Sequence, residues 1–401
     1  MLDLGRVRAL LDQRRPGHTL PQPFYTDADL FEFDLAAIHG RSWIMAGFEA
    51  EVPLPGSTLA VTLGRSPVVL ARGRDGVLRG FHNSCRHRGA QVCADGAGRS
   101  ARLVCPYHQW VYDLDGRLLL AKRMGEGFDP AQHGLRPVHV ETAGGCVYVC
   151  LADAPPDFAP FREAVEPMLA PHALRQAKVA HRSTLVERAN WKLVMENARE
   201  CYHCAVRHPE LSATFPVRAK KHFDRAGDAR AEAFAARMVR LGLPSEPVEG
   251  DWWQAARFPL NEGMTSLTLD GQPACARPML AADDDLGSLR WALEPHHFAH
   301  AVGDHVFSFS AMPTGPHETV VTATWLVHAD AEEGRDYDLA QLTALWDATN
   351  QQDLELVELN QHGVFSAGYT PGPYSDEAEA LTQRFVDWYC RTARGYLGAN
   401  A

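Results

Sequence analysis

"LVCPYHQWVYDLDGRL", residues 103–118, decides how the rest of the chain is read. Aromatic and β-branched residues flank a Cys-Pro-Tyr-His turn, and Asp115-Gly116 supplies a second turn after them. The pattern predicts short strands, with Cys105 and His108 on the loop between them. The same texture extends outward through "STLAVTLG" (57–64), "SPVVLAR" (66–72), "VLRGFHN" (77–83) and "GGCVYVCLA" (144–152). Asp75-Gly76 adds another turn, so an all-β module is expected over 43–153. The Pro-rich connector "DAPPDFAP" (153–160) closes it. Ahead of the module, "GRVRALLDQRR" reads as a helix ending near Pro16, and "DADLFEFDLAAIHGRSW" as a second helix capped by Asp27 or Asp29. Beyond the connector, helical patterns over Asn190 to Cys204 and from Leu339 flank strand-like runs "HVFSFSAMP" and "ETVVTATWLVHA". The expected organisation is therefore α+β, with a helical lead-in over 1–42 packing on a second domain over 154–401.

Composition narrows the function. The chain has 401 residues, 46% hydrophobic and 22% charged, with a formal charge of −11 that disfavours a nucleic-acid partner. No stretch approaches the roughly 20 apolar residues of a membrane span, and the N-terminus lacks a signal peptide's apolar centre. A cytoplasmic location is expected. Nine cysteines, an odd number scattered along the chain, argue for reduced thiols or metal ligands and against a secreted disulfide framework.

Two pairs of metal-binding residues stand on turns of the β module: Cys85 with His87, and Cys105 with His108. A structural zinc site accepts two Cys and two His, but zinc fingers usually group Cys with Cys and His with His. In a Rieske [2Fe–2S] cluster two thiolates hold one iron and two imidazoles the other, which suits loops that each offer one of both. Cys93 has no partner at comparable spacing and reads as a packed thiol.

A second constellation lies in "NARECYHCAVRHPE", residues 197–210. Glu200 and His203 share a face if the helix continues through them, and His208 precedes Pro209, where a helix should end. Two imidazoles and one carboxylate on one face of an octahedron suit a ferrous ion that must leave positions open for O₂. The carboxylate must come from elsewhere. Asp353 on the helical stretch "TNQQDLELVELNQHG" can supply it, with Glu355 and Glu358 as rivals, although a solvated helix face is the commoner fate of such acids. His296, His297, His300 and His305 read as polar loop or pocket-lining residues, and Trp252, Trp253 and Trp291 as core rather than an aromatic cage. No Gly-x-Gly-x-x-Gly in a βαβ setting is present, so a pyridine nucleotide and flavin belong on another protein.

"CRHRGAQVC" (85–93) and "LVCPYHQWVYDLDGRL" resemble the Rieske domain of the large subunits of Rieske non-haem iron oxygenases. "RRPGHTLPQPFYTD" (14–27), "NWKLVMENARECYHCAVRHPEL" (190–211) and the stretch 328–375 resemble the branch that demethylates proline betaine (stachydrine) and glycine betaine. The stretch 216–287 finds no such counterpart and is read as shaping the pocket. The resemblance implies an inserted all-β Rieske domain and a C-terminal catalytic domain whose antiparallel sheet packs against helices in a helix-grip, START-like fold. It implies that Cys85, His87, Cys105 and His108 hold the [2Fe–2S] cluster and that His203, His208 and Asp353 hold a mononuclear Fe(II). Glu200, where many members carry Asp, then bridges an iron-ligand histidine to a Rieske histidine of the neighbouring subunit in a homotrimer. Cys201 and Cys204 are bystanders. The implied activity is a monooxygenase that oxidatively N-demethylates a small cationic N-methylated substrate, releasing formaldehyde, with electrons from a separate NAD(P)H-dependent flavin and iron–sulfur reductase. An aromatic-ring hydroxylating dioxygenase shares both constellations. A Rieske electron carrier, or a zinc-stabilised binding protein, accounts for the first alone.

Overall fold

The computed structural model describes residues 3–217, 228–280 and 285–400. The chain is α+β and is built around two large antiparallel sheets. The first orders its strands Ile44–Phe48, Cys146–Cys150, Pro137–Ala143, Leu78–His82, Ser66–Arg72, Ser57–Leu63 and Gly96–Arg99. Leu63 pairs with Ser66 across a two-residue turn, where Gly64 takes the positive φ of 59° that a tight hairpin needs. A separate small sheet, Leu103–Val104, Val111–Tyr112 and Leu118–Leu120, carries the Cys105 loop. Its Asp115-Gly116 turn lies against Phe81, and a Cβ on Gly116 would stand 2.4 Å from that ring.

The second large sheet runs Ala177–Glu187, Glu318–His328, Val306–Gly315, His297–Ala301, Ser288–Leu293, Trp253–Phe258 and Val248–Glu249. Helices Trp191–Asn197, Leu339–Val364 and Ala380–Ala399 accompany it, sharing one hydrophobic cluster with its strands. The lead-in helices join the same side. Buried Asp34, on helix Ala28–Ala37, accepts hydrogen bonds from Trp191 Nε1 at 3.0 Å and Tyr389 Oη at 2.7 Å, and pairs with the fully buried Lys192 ammonium. Asp27 is the N-cap of that helix, its side chain accepting from Asp29 N. The two large sheets are not separated by solvent: Trp43, Tyr148 and Phe161 share a cluster with Trp253, Trp291 and Leu326.

Three sequence expectations are corrected. The helical pattern over Asn190 to Cys204 breaks into helix Trp191–Asn197, an irregular turn, and the short helices Cys204–Arg207 and Pro209–Thr214. Asn190 caps the first of these and Pro209, which has no amide hydrogen to lose, starts the last. Glu200 and His203 therefore meet through a turn and not along a helix face. The histidines of 294–305 sit on or beside the buried strands His297–Ala301 and Val306–Gly315 and not on a polar loop, although His300 does line a pocket. Finally, Cys201 and Cys204 are joined as a disulfide, so these two thiols are not free.

Candidate metal centres

The two cysteine–histidine loops are built alike. In each, the cysteine amide donates to the carbonyl five residues on (Ala90 at 2.8 Å, Trp110 at 2.9 Å), and the amide four residues on returns to the cysteine carbonyl. Both turns need a left-handed residue at that fourth position. Gly89 provides it in one loop, whereas Gln109 adopts φ 59° in the other. The equivalent turns bring Cys85 and Cys105 into the interior and leave His87 and His108 toward solvent, their Nδ1 atoms 3.2 Å apart. His87 stacks on buried Trp110 with ring centroids 5.0 Å apart. Tyr112 Oη stands 3.2 Å from Cys85 Sγ and accepts the Arg86 amide at 3.0 Å. Burial keeps this phenol protonated well above its ordinary range, so it donates toward the sulfur. Two inner thiols beside two outer imidazoles is the donor set of a [2Fe–2S] cluster held on unlike irons, and not the grouping usual in zinc fingers.

At the second centre, His203 Nε2 and His208 Nε2 are 3.0 Å apart, and Asp353 Oδ1 lies 3.2 and 3.1 Å from them. The other nitrogen of each ring fixes its tautomer. His203 Nδ1 faces Glu200 Oε1 at 2.5 Å, and a carboxylate can only accept. Gln352 Nε2 donates to Glu210 Oε2 at 2.8 Å, which turns Gln352 Oε1 toward His208 Nδ1 at 2.7 Å. Each Nδ1 therefore carries the hydrogen, and both Nε2 lone pairs converge with a carboxylate oxygen on one point. Three cis ligands about 2.1 Å from one octahedral ion would stand about 3.0 Å apart, which matches the observed triangle. The proximity of these groups also shifts their titration. Burial pulls the His203 imidazole down, yet hydrogen bonds to Asp353 and Glu200 outweigh it and lift the ring to about 9. Asp353 is held below the usual carboxylate range despite its burial, by His203 and His208.

Of the rival acids, Glu355 pairs with exposed Arg207 at 3.4 Å and Glu358 accepts from the Arg188 amide at 3.0 Å, so neither joins the triangle. Cys204 Sγ is 4.0 Å from His203 Nε2, close enough to suggest a sulfur ligand. The nearer Asp353 oxygen is the better third donor, because a disulfide sulfur offers no thiolate.

The triangle opens into a cleft of about 590 Å³, mouth included, walled by Phe215, Phe258, Phe298, His300 and Trp346. Phe258 falls within the stretch 216–287 expected to shape the pocket; residues 218–227 and 281–284 of that stretch lie outside the described residues. Trp291 and Trp253 are core, and the aromatic wall comes instead from phenylalanines and Trp346. Of the four clustered histidines only His300 lines the cleft; His296 accepts the Met45 amide at 3.2 Å and His305 pairs with Asp304. Sequence reading also missed Gln352, Glu210 and Arg290. A signal for Arg290 existed: it is the one charged residue of "SLRWAL", a strand buried at every position.

Residues 42–136 match the family described as Rieske [2Fe-2S] domain, and residues 174–395 match Ring hydroxylating alpha subunit (catalytic domain). The chain is 44% identical to the glycine betaine monooxygenase oxygenase subunit of Chromohalobacter salexigens, over 98% of this chain and 89% of that one. It is 43% identical to the protein of the same name from Pseudomonas aeruginosa, over 98% and 93%. Its fold is similar to the crystal structure of the quaternary ammonium Rieske monooxygenase CntA, with a TM-score of 0.74 and 21% identity over 96% of this chain and 97% of that one. The cofactors are thus a [2Fe–2S] Rieske cluster and a mononuclear iron. The chain belongs to the ring-hydroxylating alpha-subunit family and is a Rieske non-haem iron oxygenase.

Proposed function

We propose that this chain is the oxygenase subunit of a monooxygenase that removes an N-methyl group from a small betaine. Its organisation is a lead-in over 1–42, a cluster-bearing unit over 43–153 and an iron-bearing unit over 154–401. Cys85, Cys105, His87 and His108 would hold the cluster; His203, His208 and Asp353 would hold the iron. When bound, the cluster supplies single electrons and the mononuclear iron supplies dioxygen activation. The protein's own residues do the rest. Glu200 and Gln352 fix the two imidazole tautomers, and the aromatic walls exclude bulk water and present a surface suited to a quaternary ammonium. Glu200 also extends from His203 as the group that would reach a cluster histidine of a neighbouring copy in a homotrimer.

In the overall reaction one oxygen atom enters a C–H bond of an N-methyl group. The other leaves as water with two electrons and two protons. The resulting N–CH₂OH breaks its C–N bond, giving formaldehyde, a tertiary amine and a proton. Electrons come from a separate NAD(P)H-dependent flavin and iron–sulfur reductase, and that dependence supports a cytoplasmic location. The observation that carries this reading is the triangle of two imidazole Nε2 atoms and one carboxylate oxygen opening on an aromatic cleft, in a chain 44% identical to a glycine betaine monooxygenase subunit. The test is formaldehyde release from a panel of betaines, proline betaine and glycine betaine included, with reductase, NAD(P)H and O₂. No formaldehyde from any of them would reject it; a cis-diol from an arene would assign the chain to the dioxygenases instead.

A further inference from the structure

Arg290 lies on the buried strand Ser288–Leu293, is 7% exposed and lines the same cleft as His203, His208 and Asp353. Its guanidinium packs over the Phe298 ring, 5.6 Å from the centroid, and its buried Nη1 has no hydrogen-bond partner among the described residues. The carboxylate placed to neutralise it is Glu294, but Arg199 already takes that group. Arg199 Nη2 donates to Glu294 Oε2 at 2.7 Å and Nε donates to it at 3.1 Å, and Arg199 is itself buried. Arg384, the other nearby cation, pairs with Glu249 at 3.0 Å. His297, on the neighbouring buried strand His297–Ala301, is held neutral by burial. The carboxylates on the cleft's other wall, Asp353 and Glu200, are turned to His203 and His208. Two buried guanidiniums thus share one carboxylate, leaving a surplus positive charge that faces the cleft. Burial and the charge of Arg199 bring the Arg290 group down only to about 9, so it stays charged at neutral pH. A buried charge lacking a partner is unfavourable, and a ligand anion relieves it.

We propose that Arg290 is a specificity-determining residue, an anion subsite that holds the substrate's carboxylate, so that the cleft selects zwitterions carrying both a quaternary ammonium and a carboxylate. This rests on the demethylation reading. Bare cations are repelled by the surplus charge, and apolar arenes leave it unpaired.

The test is calorimetric binding of glycine betaine and of choline, which has an alcohol in place of the carboxylate, to the anaerobic iron-loaded protein. Wild type should bind betaine at least about thirtyfold more tightly than choline. Arg290→Gln should lose about thirtyfold or more for betaine with choline unchanged or improved, and Arg290→Lys should recover part of the loss. The cluster's visible spectrum reports folding; if Arg290→Gln does not fold, the selective loss of betaine in Arg290→Lys decides. Betaine affinity unchanged in Arg290→Gln, or equal losses for betaine and choline, would overturn the subsite. Formaldehyde release from betaines alongside such a result leaves demethylation standing, whereas no betaine binding and no formaldehyde from wild type rejects both.

Discussion

Gln352 Oε1 stands 2.7 Å from His208 Nδ1, on the helix that carries Asp353 as the next residue. One helical segment thus carries a proposed ligand and orients another. Gln352→Leu should remove the acceptor that fixes the His208 tautomer and weaken mononuclear iron binding by about 10- to 100-fold, the usual range for such outer partners. Anaerobic Fe(II) titration checks this. Wild-type affinity in the variant would show that His208 is oriented by packing alone.

Tyr112 donates toward Cys85 Sγ across 3.2 Å. Hydrogen bonds to cluster sulfurs stabilise the more negative, reduced state. Tyr112→Phe should therefore lower the cluster's midpoint potential by tens of mV, on a scale where about 59 mV is tenfold for a one-electron couple. Protein-film voltammetry measures it; an unchanged potential would mean that the hydroxyl serves the Arg86 amide only.

Asp34 anchors the lead-in to helix Trp191–Asn197 through Trp191 and Lys192, and to helix Ala380–Ala399 through Tyr389. Both members of the Asp34–Lys192 pair are inaccessible to solvent. Asp34→Ala leaves a buried ammonium without its partner and should cost about 3–5 kcal/mol. Urea unfolding followed by tryptophan fluorescence checks it, and a loss below about 1 kcal/mol would contradict the account.

His296 is held at about 3 by burial, with the Arg199 charge adding to the effect of desolvation. Unfolded, the same ring titrates near about 6.5. Below that pH the unfolded state binds the extra proton, so this contribution is intact above about 6.5 and is lost as pH falls toward 3, by about 1.4 kcal/mol per pH unit. His39 behaves alike, while Glu196 and Glu187, raised to about 7 and 8, act in the opposite sense as pH falls toward 4.5. The clean readout is the difference between proteins: His296→Gln should show a shallower loss of stability between pH 6.5 and 5 than wild type. Parallel curves would mean that His296 is not buried neutral.

Much of the arrangement was legible because it is local. Cys85, His87, Cys105 and His108 stand on turns marked by Gly and Pro, and a periodic helix carrying Asp353 is readable from apolar spacing. The break after Asn197 was not, because Ala198, Arg199 and Glu200 are good helix formers and no Gly or Pro marks the turn. Nor was the cleft's aromatic wall. Phe215, Phe258, Phe298 and Trp346 come from separate elements, and no window of sequence brings them together. Arg290 was visible as the one charged residue of its strand, but its significance depends on Arg199 having already engaged Glu294.

The central claim is that one chain houses a relay cluster and a separate iron held by His203, His208 and Asp353. Iron and acid-labile sulfide analysis of anaerobically reconstituted wild type and His203→Ala tests it most directly. The account predicts three irons and two sulfides per wild-type chain, and two of each, with an unchanged Rieske spectrum, in His203→Ala. A variant that keeps its third iron, or a wild type that lacks either centre, would contradict it.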